Sequence, residues 1–245
     1  MKTYKGRDID LDFSDPYYSD PTTFVTTHLR QIQDDKMYDQ LLKDKTDLTI
    51  LDLGANVGLV SLYCCDSAKR VIAVEAGPKQ CELFKELCKK EKNIELVEAA
   101  ISNNNEPVTF YMKNNPTCNS LMSIDEEDVK VEVPGINLEK LLIDKNIDKV
   151  DICKIDIEGS EMIAFTEETL KPVFDKIDLI FMEVHATKQP WREEVRKNVI
   201  KMYELFSKVG YTCEAPYVSM LMSGQNQPLH DEVVDKLICY KEKKV

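Results

Sequence analysis

Four carboxylates and one imidazole stand where apolar runs of this chain end. Asp52 closes the run in ILDLGANVG (residues 50–58), Glu75 closes RVIAVE, Asp156 follows ICKI, and Glu183 and His185 close LIFMEVH. A buried strand that ends in an acid delivers charge to the edge of a sheet, where ligands of open α/β proteins gather. There a carboxylate can accept hydrogen bonds from a sugar diol. A histidine that titrates near neutrality can take a proton from a hydroxyl group. Asp156, Glu183 and His185 also form an oxygen and nitrogen set of the kind divalent cations use, but their separation in sequence says nothing of geometry, and the site is read as metal-free.

The turn after Asp52 narrows the ligand. Gly54 and Gly58 bracket Ala55, Asn56 and Val57, and helix-like LVSLYCC follows. Glycines let a chain bend sharply and approach another group closely. An acid closing the next strand, about 20 residues on, suits a ribose diol, and Glu75 stands there. The competing reading is the dinucleotide fingerprint Gly-x-Gly-x-x-Gly, whose second and third glycines serve a pyrophosphate and helix packing. Starting from Gly54, those positions hold Asn56 and Leu59. A nucleoside without a pyrophosphate is therefore favoured, and Asp52 suits a positively charged one, which points to S-adenosylmethionine. The plainer alternative, a glycine turn that only packs a helix on a strand, leaves Glu75 unaccounted for.

The elements that must position these residues read as an alternating α/β chain. Leu48 to Leu53 and the run ending at Glu75 form the first two strands, and Pro78 opens a helix with Cys81, Phe84, Leu87 and Cys88 as its apolar stripe. IELVEAAIS (94–102) reads as a third strand whose small Ala99, Ala100 and Ile101 leave room for an adenine ring. PVTFYM and VKVEV add two half-exposed strands around a polar loop. The segment VDICKIDIEGSEMIAF is the fourth strand, with Asp156 at its carboxyl end beside the first, and Ser160 and Glu161 capping and charging the following helix. After the fifth strand comes an amphipathic helix, WREEVRKNVIKMYELFSKVG, with Gly210 as its C-cap. YTCEAPYVSM and KLICYKE then pair as antiparallel strands. The predicted fold is a Rossmann-like seven-stranded, mostly parallel sheet with helices on both faces and the last strand antiparallel.

Residues 1–45 read as an N-terminal extension, an extended arm over 1–20 and then a helix over 21–44 with Phe24, His28, Ile32, Tyr38, Leu41 and Leu42 on its apolar side. Residues 46–245 read as one catalytic domain. A chain of 245 residues with 43% hydrophobic and 31% charged residues can bury one such core. The net charge of −12 argues against a partner held by its phosphate backbone, so nucleic acid is not expected. The eight cysteines form no Cys-x-x-Cys and read as reduced, mostly buried thiols. With no basic, apolar-centred leader and no apolar stretch near 20 residues, the expectation is a cytoplasmic protein without a membrane partner. Oligomeric state is not legible.

Over residues ~45 to 215 the chain resembles FkbM-type methyltransferases, a branch of the class I S-adenosylmethionine-dependent methyltransferases. The resemblance rests on ILDLGANVGLVSL, VIAVEAGP, the AAIS segment and, most specifically, KIDIEGSE followed by FMEVH. The chain departs where the family's usual Glu-Pro-Asn-Pro is Glu75, Ala76, Gly77 and Pro78, and where its Thr-Leu-Asp is Asn137, Leu138 and Glu139. The resemblance implies S-adenosylmethionine as cofactor, a small-molecule or glycan acceptor and transfer to a hydroxyl oxygen. Donor binding then falls to Asp52, Gly54, Ala55, Asn56, Gly58, Glu75, Ala76, Ala100, Ile101 and Asp156, and catalysis to His185, Asp156 and Glu183. Two alternatives stay open: methyl transfer to protein or RNA, and a non-catalytic protein that keeps only the nucleoside pocket.

Overall fold

The computed structural model describes residues 2–4, 7–9, 36–113, 119–123, 128–188, 190–215 and 234–241. Two short strands, β1 (Lys2–Tyr4) and β2 (Arg7–Ile9), pair antiparallel and precede helix α1 (Lys36–Leu42). Next come β3 (Leu48–Leu53), α2 (Leu59–Cys64), β4 (Ala68–Glu75), α3 (Pro78–Cys88) and β5 (Ile94–Glu98). The middle of the chain forms β6 (Ala100–Ile101), β7 (Val108–Met112), β8 (Val129–Val133), β9 (Gly135–Ile136) and α4 (Leu138–Asp144). Then follow β10 (Ile152–Ile155), the short helices α5 (Glu161–Ala164) and α6 (Glu167–Leu170), and β11 (Leu179–His185). Helix α7 (Trp191–Val209), β12 (Thr212–Glu214) and β13 (Val234–Tyr240) complete the described chain.

Seven strands form one sheet in the order β12-β13-β11-β10-β3-β4-β5. β10 is parallel to both β3 and β11, and β3, β4 and β5 continue in the same sense, whereas β13 runs antiparallel to β11 and to β12. Successive strands spread outward from β3 until the chain crosses back to β10 on its other side, so strand order reverses between β3 and β10. Crevices at the carboxyl ends of strands open at such a point.

Side chains alternate between the two faces, and the faces differ. Leu51, Leu53, Cys153, Ile155, Ile180, Met182 and Val184 enter the larger core with α4 and α7 residues such as Leu141, Val195 and Phe206. On the opposite face Ile50, Val71, Ile152 and Phe181 pack with Leu59, Leu62 and Tyr63, and with Tyr38 and Leu42 of α1. Further along that second face the same strands carry Asp52, Lys154, Glu183 and His185. It is apolar at the strands' amino ends and charged at their carboxyl ends.

The predicted sheet, its antiparallel last strand and the helix starts at Leu59 and Pro78 match the structure. The single third strand does not. It divides at Ala99 into β5, in the main sheet, and β6, which leaves to pair with β9. The Ala99 N–H donates to Glu75 O at 2.9 Å and ends the ladder with β4, while the Ala100 N–H turns to Pro134 O at 2.8 Å. PVTFYM and VKVEV pair as the hairpin β7–β8. Of the helix expected over 21–44, Lys36–Leu42 is seen; Phe24, His28 and Ile32 lie outside the described residues, as do most of the arm over 1–20 and the loop over 219–231. Gly210 ends α7 with φ 123°, its N–H donating to Phe206 O and Ser207 O. Among the described residues, no helix is long and apolar enough to cross a membrane.

Candidate active site

Lys154 organises the carboxyl edge of the sheet. It lies on β10 at the register of Asp52 on β3, and only 4% of it is exposed. Its Nζ sits 3.4 Å from Asp52 Oδ1 and 3.3 Å from Asp156 Oδ2, and donates to Gly54 O at 2.9 Å. One ammonium group therefore ties together the end of β3, the glycine turn and the end of β10. Burial alone would lower its pKa, but Asp156, Asp52 and Glu183 outweigh burial and hold it above the ordinary lysine range. The sequence signal was a lysine inside an apolar strand, a position where charge survives only when paired.

Asp52 is fully enclosed, at 0% exposure. Its Oδ2 accepts from Ser61 Oγ of α2 at 2.6 Å, and its Oδ1 faces Lys154. The carboxylate thus fastens α2 and Lys154 to the end of β3. The two glycines also serve the protein's own atoms. A Cβ on Gly54 (φ 76°) would meet Asp156 O at 1.7 Å, and one on Gly58 (φ 92°) would meet the Phe84 ring at 2.7 Å. Close packing of β10 and α3 accounts for both. Asn56 between them takes a left-handed φ of 49°, which asparagine tolerates better than most residues.

Glu75 stands at the end of β4 with 8% exposure. Its Oε2 accepts from the Asn56 N–H at 2.8 Å and its Oε1 from the Gly77 N–H at 2.7 Å. Burial raises its pKa, opposed by those bonds and by the Ala76 N–H. Each oxygen keeps a second lone pair, so the carboxylate fits a ribose diol. Ala55, Ala100 and Ile101 are buried nearby in the fold, at 4% exposure each, and Ala76 packs on the β7–β8 patch with Phe110 and Val133.

The second half of the site gathers on β10, β11 and the loop after β10. His185 is 8% exposed; its Nδ1 lies 3.0 Å from Glu161 Oε1, and its Nε2 lies 3.7 Å from Asp156 Oδ1 and 3.6 Å from Glu158 Oε2. Asn198 of α7 fixes the backbone by donating Nδ2 to His185 O at 2.9 Å. Glu158 (φ 53°) and Gly159 (φ 94°) are both left-handed and turn the loop back toward β11. A Cβ on Gly159 would sit 2.3 Å from Thr187 Cγ2, so the loop and the end of β11 are in close contact. Burial would lower the His185 pKa, but Glu158, Glu161 and Asp156 outweigh it and hold the ring well above the usual value. Burial pushes Glu158 up to about 8, relieved by His185 and reinforced by Asp156. Burial and Asp156 likewise raise Glu183.

Two sequence expectations change here. Ser160 makes no side-chain cap; its Oγ accepts from the Leu121 N–H at 2.9 Å and ties the β7–β8 loop to the site. Glu161, read only as favourable charge at a helix start, is 0% exposed and orients His185. Asp156, Glu158 and His185 come within one small volume, their ligand-type atoms all within 4.8 Å of one another. Glu183 shares the face of β11 with His185.

Residues 52–237 match the family described as the methyltransferase FkbM domain, from the end of β3 into β13. The chain belongs to this family. FkbM membership makes it a methyltransferase of the S-adenosylmethionine-dependent class. No curated protein sequence matches the chain. Solved structures that resemble it include precorrin-6Y C5,15-methyltransferase from Geobacter metallireducens, at 16% identity over 83% of this chain and 85% of that one, with a TM-score of 0.46. Another is the FkbM methyltransferase from Methylobacillus flagellatus, at 12% identity over 92% of this chain and 55% of that one, TM-score 0.49. A third is the fibrillarin pre-rRNA processing protein from Methanococcus jannaschii, at 14% identity over 81% of this chain and 69% of that one, TM-score 0.49. The FkbM assignment rests on the domain match and not on these likenesses.

Proposed function

We propose that the protein transfers the methyl group of S-adenosylmethionine to a hydroxyl oxygen of a small molecule or sugar. The observation that carries this reading is the meeting of a ribose-type acid, Glu75, with a proton-handling cluster, Asp156, Glu158, Glu183 and His185, at one carboxyl edge of the sheet. Glu75, the Asn56 turn, Ala76, Ala100 and Ile101 would hold the nucleoside. Gly54, Ala55 and Gly58 shape that wall, and Asp52 acts through Lys154.

Methyl transfer to oxygen breaks a carbon–sulfur bond, forms a carbon–oxygen bond and releases the hydroxyl proton. Most of the acceleration comes from holding the acceptor in line in a dry cleft, and a positioned base adds about 10²- to 10⁴-fold. Asp156, whose side chain is 27% exposed against 9% for His185, is the group that meets an acceptor first. His185 is held behind it by Glu161 and, in the charged form its acidic neighbours favour, presents Nε2–H toward Asp156. Glu183 is the neighbouring carboxylate on the same face.

The negative net charge and the buried carboxylates favour a compact, hydroxylated acceptor over an RNA backbone. Isothermal titration with S-adenosylhomocysteine, beside labelled methyl transfer to a panel of hydroxylated acceptors, tests the proposal. Nucleoside binding with transfer to a sugar or small phenol is expected. Binding with no turnover on any acceptor would support a non-catalytic pocket instead, and turnover only on protein or RNA would refute the acceptor class.

A further inference from the structure

The two ring nitrogens of His185 differ in a way that a structural histidine does not require. Nδ1 is satisfied by Glu161 Oε1 at 3.0 Å, and the same oxygen accepts from the Gly159 N–H at 3.3 Å. Nε2 faces Asp156 Oδ1 at 3.7 Å and Glu158 Oε2 at 3.6 Å. N–H···O hydrogen bonds span about 2.7–3.2 Å, so neither contact is one. Ligand atoms bound to one cation at about 2.1 Å lie roughly 3–4 Å apart; both Nε2–oxygen separations fall in that range, and the three ligand-type atoms all lie within 4.8 Å of one another. A buried carboxylate on the far nitrogen is the arrangement that aims a metal-binding histidine and fixes its tautomer.

The surrounding charge also calls for a cation. Asp52, Asp156, Glu158, Glu161 and Glu183 crowd this edge, answered by Lys154 and Lys236. Among the described residues, acidic side chains outnumber ammonium groups around the three ligand atoms, so an added positive charge is favoured there.

We propose that Asp156, Glu158 and His185 Nε2 bind a divalent cation of the Mg²⁺ or Mn²⁺ type, with Glu161 positioning the histidine. Two carboxylates and one imidazole suit a hard or borderline ion and leave coordination positions for an acceptor hydroxyl. The function of the cation rests on the methyl-transfer reading above. With the cation bound, His185 Nε2 would coordinate it in place of a proton, and a hydroxyl on the cation would release its own proton to water more readily.

The test uses the full chain, freed of metal by chelator and dialysis, and titrated with Mn²⁺ while the spectrum of the free ion is followed. One Mn²⁺ per chain is expected. Glu158→Gln and His185→Asn should abolish binding, Glu183→Gln should retain it, and Glu161→Gln should weaken it roughly 10- to 100-fold. The bound ion in the unaltered protein should show nitrogen modulation from one coordinated imidazole, a readout that needs no variant. Absence of uptake, absence of that modulation, or binding that survives both Glu158→Gln and His185→Asn would overturn the site. A parallel titration with S-adenosylhomocysteine separates the two readings. Mn²⁺ binding without nucleoside binding keeps the cation site and removes methyl transfer, whereas the reverse removes the cation site alone.

Discussion

Replacing Lys154 by methionine, which keeps the length of the side chain and removes its charge, isolates the group that ties the site together. Lys154 Nζ stands 3.4 Å from Asp52 Oδ1 and 3.3 Å from Asp156 Oδ2. At an effective dielectric near 20, each contact is worth about 5 kcal/mol of gross attraction, most of it offset by the cost of removing the ions from water. The variant leaves Asp52 at 0% exposure with Ser61 as its remaining partner. Breaking a buried pair by deleting one member typically costs about 3–5 kcal/mol, a large share of the roughly 5–15 kcal/mol that holds a domain folded. Urea unfolding, read as the change in midpoint at constant slope, measures the loss. Adding Asp52→Asn removes the stranded charge, and the double variant should regain on the order of 2 kcal/mol. A loss below about 1 kcal/mol in the single variant, or a double variant no more stable than the single one, would refute the reasoning.

Three further outcomes are expected. Glu75→Gln should weaken S-adenosylhomocysteine binding roughly 10- to 100-fold by calorimetry, since a hydrogen bond to a charged group contributes about 1.5–3 kcal/mol; unchanged affinity removes Glu75 from the pocket. Asp156→Asn should lower kcat by about 10²- to 10⁴-fold with donor affinity nearly constant, and a variant that turns over normally would take Asp156 out of the chemistry. Tyr63 donates its hydroxyl to Asp39, and burial together with that bond pushes the phenol up to about 12. Because the folded value lies above the unfolded value of about 10, the folded state binds the proton more tightly and the contribution is complete below pH 10. It is lost as pH rises from about 10 to 12, so the stability advantage over Tyr63→Phe should shrink across that window in urea titrations. An advantage independent of pH would show that the hydroxyl proton is not involved.

The sheet was legible because its parallel strands are continuous apolar runs bounded by glycine, proline and acids, and the switch point followed from their order. The residues at the strand ends were legible for the same reason: Asp156 and His185 interrupt or close runs that otherwise exclude charge. What those residues touch was hidden. Ser160 and Glu161 read as ordinary helix-start residues because that role is local, whereas their real partners, Leu121 and His185, come from other parts of the chain. The enclosure of Asp52 was hidden because it depends on Ser61, in α2, and on Lys154 in a neighbouring strand. The break at Ala99 carries no glycine or proline and is set by a backbone bond to Glu75 O. Gly54 and Gly58 announced close approach, and Asp156 O and the Phe84 ring are groups that approach them.

The central claim is that the nucleoside of the methyl donor lies against the Asn56 turn with its ribose hydroxyls on Glu75. A crystal structure of the protein with S-adenosylhomocysteine tests this most directly. Density for the ribose within hydrogen-bond distance of the Glu75 carboxylate, with the sulfur directed toward Asp156, is the predicted result. Density for the nucleoside elsewhere, or Glu75 still closed on Asn56 and Gly77 with no ligand beside it, would contradict the account.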